Sequence, residues 1–175
     1  LSGSGNIKSP SLDGKLKLTD TGYNSENFGD GECSFVIGGE RLHAVAFLLG
    51  QTFHATLDSG IREPFPFKAS LRLENINVEP ALKLAGLGEK IGARVTGSIN
   101  ADGKGTDPLS TSMDAILHTI SFNVGEHRWA NKSPVKFGMS DRKFHVDSLE
   151  INSSSGDLSA SGNVDIADFK ETRNL

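Results

Sequence analysis

Apolar and polar residues alternate one for one over long stretches of this chain. In "PFKASLRLENIN" (66–77), Phe67, Ala69, Leu71 and Leu73 share one parity, and Lys68, Ser70, Arg72 and Glu74 share the other. A period of two places successive side chains on opposite faces of a strand, so this segment predicts an antiparallel strand with one dry face and one wet face. "LDGKLKL" repeats the plan with Leu12, Leu16 and Leu18 against Asp13, Lys15 and Lys17. "GARVTGSINA" repeats it with Ala93, Val95, Gly97, Ile99 and Ala101, and the end of the chain with Leu158, Ala160, Gly162, Val164 and Ile166.

Two segments change phase partway. "STSMDAILHTISFNV" aligns Met113 with Ala115 and then moves to Ile116, Ile120, Phe122 and Val124; "KFHVDSLEI" aligns Phe144 with Val146 and then Leu149 with Ile151. A slip of one residue turns every later side chain to the other face, so each change predicts a β-bulge. Turn chemistry punctuates the pattern: "GGER" follows "SFVI", "SDRK" follows "KFGM", and "SSSGD" precedes the last strand. One segment, "NVEPALKLAGLGEK", predicts a short helix over 79–87, with Pro80 near its start and Gly86 and Gly88 as stops. The expectation is an all-β chain of roughly ten strands, with one or two short helices at most.

A weak phrase recurs: "LSGSGNI" at the start, "ARVTGSINADG" at 93–103 and "GDLSASGNVDI" at 156–166. A looser repeat relates 34–57 to 136–162, bringing Phe35, Arg41 and His43 into line with Phe137, Lys143 and His145. Such repeats favour a quasi-linear sheet over a closed globule. The expected organisation is one fragment, 1–175, without a second domain, made of loose repeats at about 1–74 and 75–166.

Composition narrows the function. The formal net charge is −4, and no basic run exceeds two residues, which argues against a nucleic-acid surface. Cys33 is the single cysteine, so no intramolecular disulfide or thiolate metal site is expected. No stretch approaches the roughly 20 apolar residues of a spanning helix. His43 and His54 fall at a parity that a hairpin brings together, which leaves a two-His metal site open beside the simpler reading of polar-face residues. "NKS" (131–133) and "NSS" (152–154) are glycosylation sequons. No GxSxG elbow, HExxH or phosphate-binding loop occurs, so no catalytic constellation and no cofactor are expected. What the pattern specifies is a long sheet with one continuous apolar face and little to cover it, and a large uncovered apolar patch normally marks a binding surface.

The motifs have a resemblance. "VEPALKLAG", then "GARVTGSINADGKGTDPLSTSMDAIL", a strand with Phe122 and Trp129, and "FHVDSLEINSSSGDLSASGNVDI" resemble, in order and spacing, the repeats of TamB and the wider AsmA-like proteins. "SGNIKSPSLDGKLKL" matches the Gly–Pro–strand portion again, so the resemblance covers about three-quarters of the chain. It implies an elongated, curled antiparallel β-sheet (a β-taco) with an open hydrophobic groove, in a periplasmic protein anchored in the inner membrane of a double-membraned bacterium. It implies carriage of phospholipid acyl chains toward the outer membrane, and the outer-membrane barrel protein TamA as partner of the parent protein. The residues expected to line the groove are Leu16, Leu18, Phe67, Leu71, Leu73, Val95, Ile99, Ile120, Phe122, Phe144, Val146, Leu158, Val164 and Ile166. Two other readings stand beside it: a scaffold that holds nascent outer-membrane β-strands by strand addition, and a self-contained β-sandwich.

Overall fold

A computed structural model of the chain describes residues 2–6, 9–23, 26–48, 50, 52–79, 91–124 and 126–165. These residues form one curled, wholly antiparallel sheet. Its strands are β1 (Ser2–Asn6), β2 (Ser9–Tyr23), β3 (Glu26–Gly38), β4 (Arg41–Leu48), β5 (Phe53–Gly60) and β6 (Pro66–Asn77). They continue as β7 (Ile91–Lys104), β8 (Asp107–Val124), β9 (His127–Asn131), β10 (Val135–Ser140), β11 (Lys143–Ser153) and β12 (Gly156–Asp165). Each strand pairs with the next in sequence, except that β9 and β10 both lie between β8 and β11. They fill one strand's place with a break at residues 132–134, so twelve strands make eleven positions. The expected helix at 79–87 falls mostly on residues 80–90, outside the described residues.

Local chemistry explains the hairpins. β3–β4 and β10–β11 turn through two residues each, Gly39–Glu40 and Asp141–Arg142, all with φ between 49° and 65°. Positive φ at both central positions is the turn whose twist matches a right-twisted hairpin. The looser repeat survives in space as well. Phe35 and Phe137 share one face of the sheet, while His43 and His145 share the other.

The strands change phase together. Leu18 is followed by Thr21 as the next paired residue in β2, Leu73 by Ile76 in β6, and Val146 by Leu149 in β11. In β8, His118 is the extra residue between Leu117 and Thr119. These irregularities lie at one level, because Leu18 faces Gly31, Leu48 faces Phe53, Phe53 faces Leu73, Leu73 faces Gly97, Gly97 faces Leu117 and Leu117 faces Val135. The β4–β5 connection and the β9–β10 break fall on the same line. A bulge bends its strand and increases the local twist, so a row of them creases the whole sheet.

The crease is held by side chains where the ladder fails. Asn131 Nδ2 donates to the carbonyls of His118 (3.0 Å) and Ser133 (2.7 Å), and its Oδ1 accepts from the Ile120 amide at 2.7 Å. Asn75, with φ of 51°, donates its amide to Thr96 Oγ1 at 3.0 Å, and the Glu74 amide donates to the Thr52 carbonyl at 2.8 Å. Gly97 sits under the β8 bulge, where a Cβ would collide with the Ile116 carbonyl and with Leu117.

There is no second layer among the described residues. Substantial contacts run only between strands adjacent in the sheet. Among the described residues the buried hydrophobic side chains are Ile76, Ala93, Ala115, Val135 and Ile151, and none of the buried ones is polar. A β-sandwich would pack two inner faces about 10 Å apart, and no such packing is present here.

Two outcomes check this architecture. Small-angle scattering gives a radius of gyration above about 16 Å, the value of a compact domain of this length. Asn131→Ala lowers unfolding free energy in urea by about 1–3 kcal/mol through loss of its hydrogen bonds, whereas Asn152→Ala, on the exposed face, changes it by less than about 0.5 kcal/mol.

Candidate functional site: the apolar face

Residues directly opposite one another in adjacent strands share a face, so register assigns every side chain. One row runs Leu16–Cys33–Ala46–Ala55–Leu71–Ile99–Ala115–Phe137–Val146–Gly162 from β2 to β12. The next row toward the β3–β4 turn runs Phe35–Ala44–Leu57–Ala69–Ala101–Met113–Met139–Phe144–Val164. At the crease comes Leu18–Gly31–Leu48–Phe53–Leu73–Gly97–Leu117–Val135. Beyond it, Ile76, Val95 and Ile120 lie in line, as do Ala93, Phe122 and Trp129. Ile151 faces Leu158. Each bulge adds one residue to its strand, so the apolar set resumes three positions on and stays on the same side.

Thirteen of the expected groove residues therefore share one face: Leu16, Leu18, Phe67, Leu71, Leu73, Val95, Ile99, Ile120, Phe122, Phe144, Val146, Leu158 and Val164. Ile166 lies outside the described residues. One phase assignment is corrected. The β8 shift falls at His118, so Leu117 keeps the phase of Met113 and Ala115, and Ile116 points to the outer face, opposite Lys136 and Ser98. His43 and His54 are not brought together: His43 Nδ1 meets Asp58 Oδ1 at 2.9 Å, and His54 stacks on Phe47 with ring centroids 4.5 Å apart. No cluster of three or more metal-ligating side chains occurs among the described residues. The Asn131 sequon amide is committed to the crease.

The apolar face has a shaped floor that the pattern analysis missed. Ala44, Ala46, Ala55, Ala69 and Ala101 form an oblique lane of small side chains, flanked by Leu48, Phe53, Leu71 and Ile99 on one side and by Leu42, Leu57 and Phe67 on the other. The lane opens into a concavity of about 410 Å³ lined by Ala44, Ala46, Phe53, Ala55, Leu57, Ala69, Leu71, Ile99 and Ala101, and by Thr56 and Ser70, whose register turns their side chains to the outer face. Toward β12 the floor turns aromatic, with Phe122 parallel to Trp129 at 6.2 Å and Phe137 against Phe144 at 5.9 Å. At the margins, Leu16, Leu158 and Val164 stand about half exposed (55%, 54% and 48%). Alanines at strand parity carry little pattern weight alone; only the alignment of four strands makes them a lane.

The outer face is polar and self-paired. Lys15 meets Glu32 at 2.6 Å, Arg72 meets Glu74 at 2.9 Å, and Arg62 meets Glu40 at 2.8 Å. Lys132 lies 2.6 Å from Asp157, and that hydrogen bond holds its ammonium above the ordinary lysine range. Exposed pairs of this kind contribute about 0–1 kcal/mol each, so they mark the wet face more than they stabilise it. Val36, Phe47 and Ile116 are apolar exceptions on it.

No protein-family model, curated protein or solved structure matches this chain. The class defined by the geometry is a curled antiparallel sheet with one apolar face that no second layer covers among the described residues.

The face assignment has a direct check. A dye that fluoresces on apolar surfaces binds the native protein. Leu71→Arg or Val95→Asp reduces that fluorescence several-fold, and Arg72→Glu, one residue away on the outer face, leaves it within error.

Proposed function

We propose that the apolar face is a groove carrying the acyl chains of lipids, in a periplasmic protein of the TamB/AsmA-like kind that moves phospholipid between the inner and outer membranes. The single observation that carries this reading is the alanine lane with its flanking ridges, a trough that crosses strands and contains no hydrogen-bonding pocket. Burial in such a trough gains about 0.8 kcal/mol per CH₂, and that gain is nearly the same at every position along the floor. A chain held without a directional contact slides from strand to strand. The headgroup stays outside, at the wet rim. The motif order that resembles the family supports the same reading, with TamA as the partner of the parent protein.

The reading is tested by incubating the protein with phospholipid vesicles, separating them and recording native mass spectra. Bound phospholipid is expected. Ala55→Trp and Ala101→Trp, which fill the lane without adding charge, lower occupancy several-fold while the urea midpoint stays near that of the parent. Ser70→Trp, on the outer face, leaves it within error. A protein that stays lipid-free overturns the proposal, as do lane variants that bind equally well. Binding of unfolded barrel-strand peptides in place of lipid would establish the scaffold reading.

A further inference from the structure

The alanine lane has an outlet. Its oblique line of small residues does not stop at Ala69 and Ala101. The next residue of β7 on the same face is Gly103, paired with Phe67 and set against Thr111. Gly103 and Phe67 also line a second concavity, of about 710 Å³, at the end of the sheet that carries the β3–β4, β5–β6 and β7–β8 connections. The lane therefore leads off the apolar floor into a charged hollow. The charges there are unevenly matched. Arg41, Lys68 and Lys104 line it together with Glu40, Asp58 and Asp102. Glu40 is held by Arg62 at 2.8 Å, and Asp58 by His43 at 2.9 Å. Among the described residues no carboxylate oxygen lies within 4.0 Å of the side-chain nitrogens of Arg41, Lys68 or Lys104. Lys15 and Lys132, elsewhere on the outer face, are each clasped by an acid. Three cations thus stand here with one uncommitted acid, Asp102.

Register brings the cations within reach of one another. Lys68 faces Asp102, so Lys104, two residues on, is its diagonal neighbour on the outer face, and long side chains meet across such diagonals. Arg41 faces Gly60, a Cβ on Gly60 would touch the Pro66 ring, and Pro66 faces Lys104. Neither Gly60 nor Pro66 puts a charge or a long side chain between Arg41 and Lys104. We infer that this hollow seats the phosphodiester of a phospholipid whose acyl chain lies in the alanine lane, with Lys68 and Lys104 donating to its oxygens and Arg41 reaching across Gly60. The inference rests on the acyl-groove reading and adds the headgroup chemistry that goes with it. A hydrogen bond from an ammonium or guanidinium to a phosphate oxygen is charge-assisted and stronger than a neutral one. A diacylglycerol has the same chains but a hydroxyl in place of the phosphate, and lacks that contact. The floor recognises hydrocarbon alone; the phosphate is read at its mouth.

A competition between two lipids tests this. Vesicles holding equal amounts of phosphatidylglycerol and diacylglycerol with the same acyl chains are incubated with the protein, and native mass spectra count each bound lipid. Phospholipid is expected in about tenfold excess, the ratio that one charge-assisted hydrogen bond gives. Lys68→Gln combined with Lys104→Gln brings the two lipids to equal uptake. Lys136→Gln, which removes an exposed charge from β10, leaves the excess unchanged. Equal uptake by the parent protein, or an excess unmoved in the double variant, overturns the headgroup site and leaves the acyl groove standing. Uptake of neither lipid overturns both. Titration of the lipid-free protein with inorganic phosphate separates a lipid site from a free-anion site. No binding at micromolar phosphate is expected, and binding there that the double variant abolishes overturns the lipid assignment.

Discussion

A side chain in a β-strand can reach only one face of its sheet, and that restriction governs this molecule. With no second layer among the described residues, a strand that lost its phase would expose its leucines to the wet side and press its charges onto the apolar one. The register of every neighbouring pair keeps the two sets apart, from Leu16 beside Cys33 to Phe144 beside Val164. Opposite charges on the outer face, such as Lys15 with Glu32, complete the discrimination.

The crease is the exception that preserves the rule. An extra residue in one strand alone would set its far half out of phase with its neighbours. Here β2, β6, β8 and β11 all shift at one level, and the β9–β10 break and the β4–β5 turn fall on the same line. Aligned bulges let the sheet bend sharply while the apolar set stays on one side. The unsatisfied backbone groups at the break are taken up by Asn131, because a polar group left without a partner costs more than the hydrogen bond itself contributes. Concavity and continuity of the apolar face thus have one origin.

An apolar concavity without a chemical fixture suits a ligand recognised by its hydrocarbon alone. The concavity at Ala55 is lined by apolar side chains, while charged side chains such as Lys15 and Glu32 pair on the outer face. The floor is graded, from alanines across β4 to β7 to aromatic rings across β8 to β11.

The strands, their faces and most hairpins were determined by the sequence itself. Alternation in Phe67 to Leu73 and in Leu158 to Val164, and the turns at Gly39–Glu40 and Asp141–Arg142, are local properties that the chain expresses wherever it lies. The phase shift from Val146 to Leu149 was legible for the same reason. The shift in β8 was legible only as a shift, because "AILH" offers Ile116 and Leu117 at adjacent positions and nothing local chooses between them. Pairing with Val135 and Gly97 chooses Leu117. The alanine lane, the alignment of the bulges and the shared position of β9 and β10 were decided by the tertiary structure alone. Each is a relation between residues far apart in the chain, set by which strands become neighbours and in what register, and no periodicity within one strand encodes the level at which its neighbour will bend.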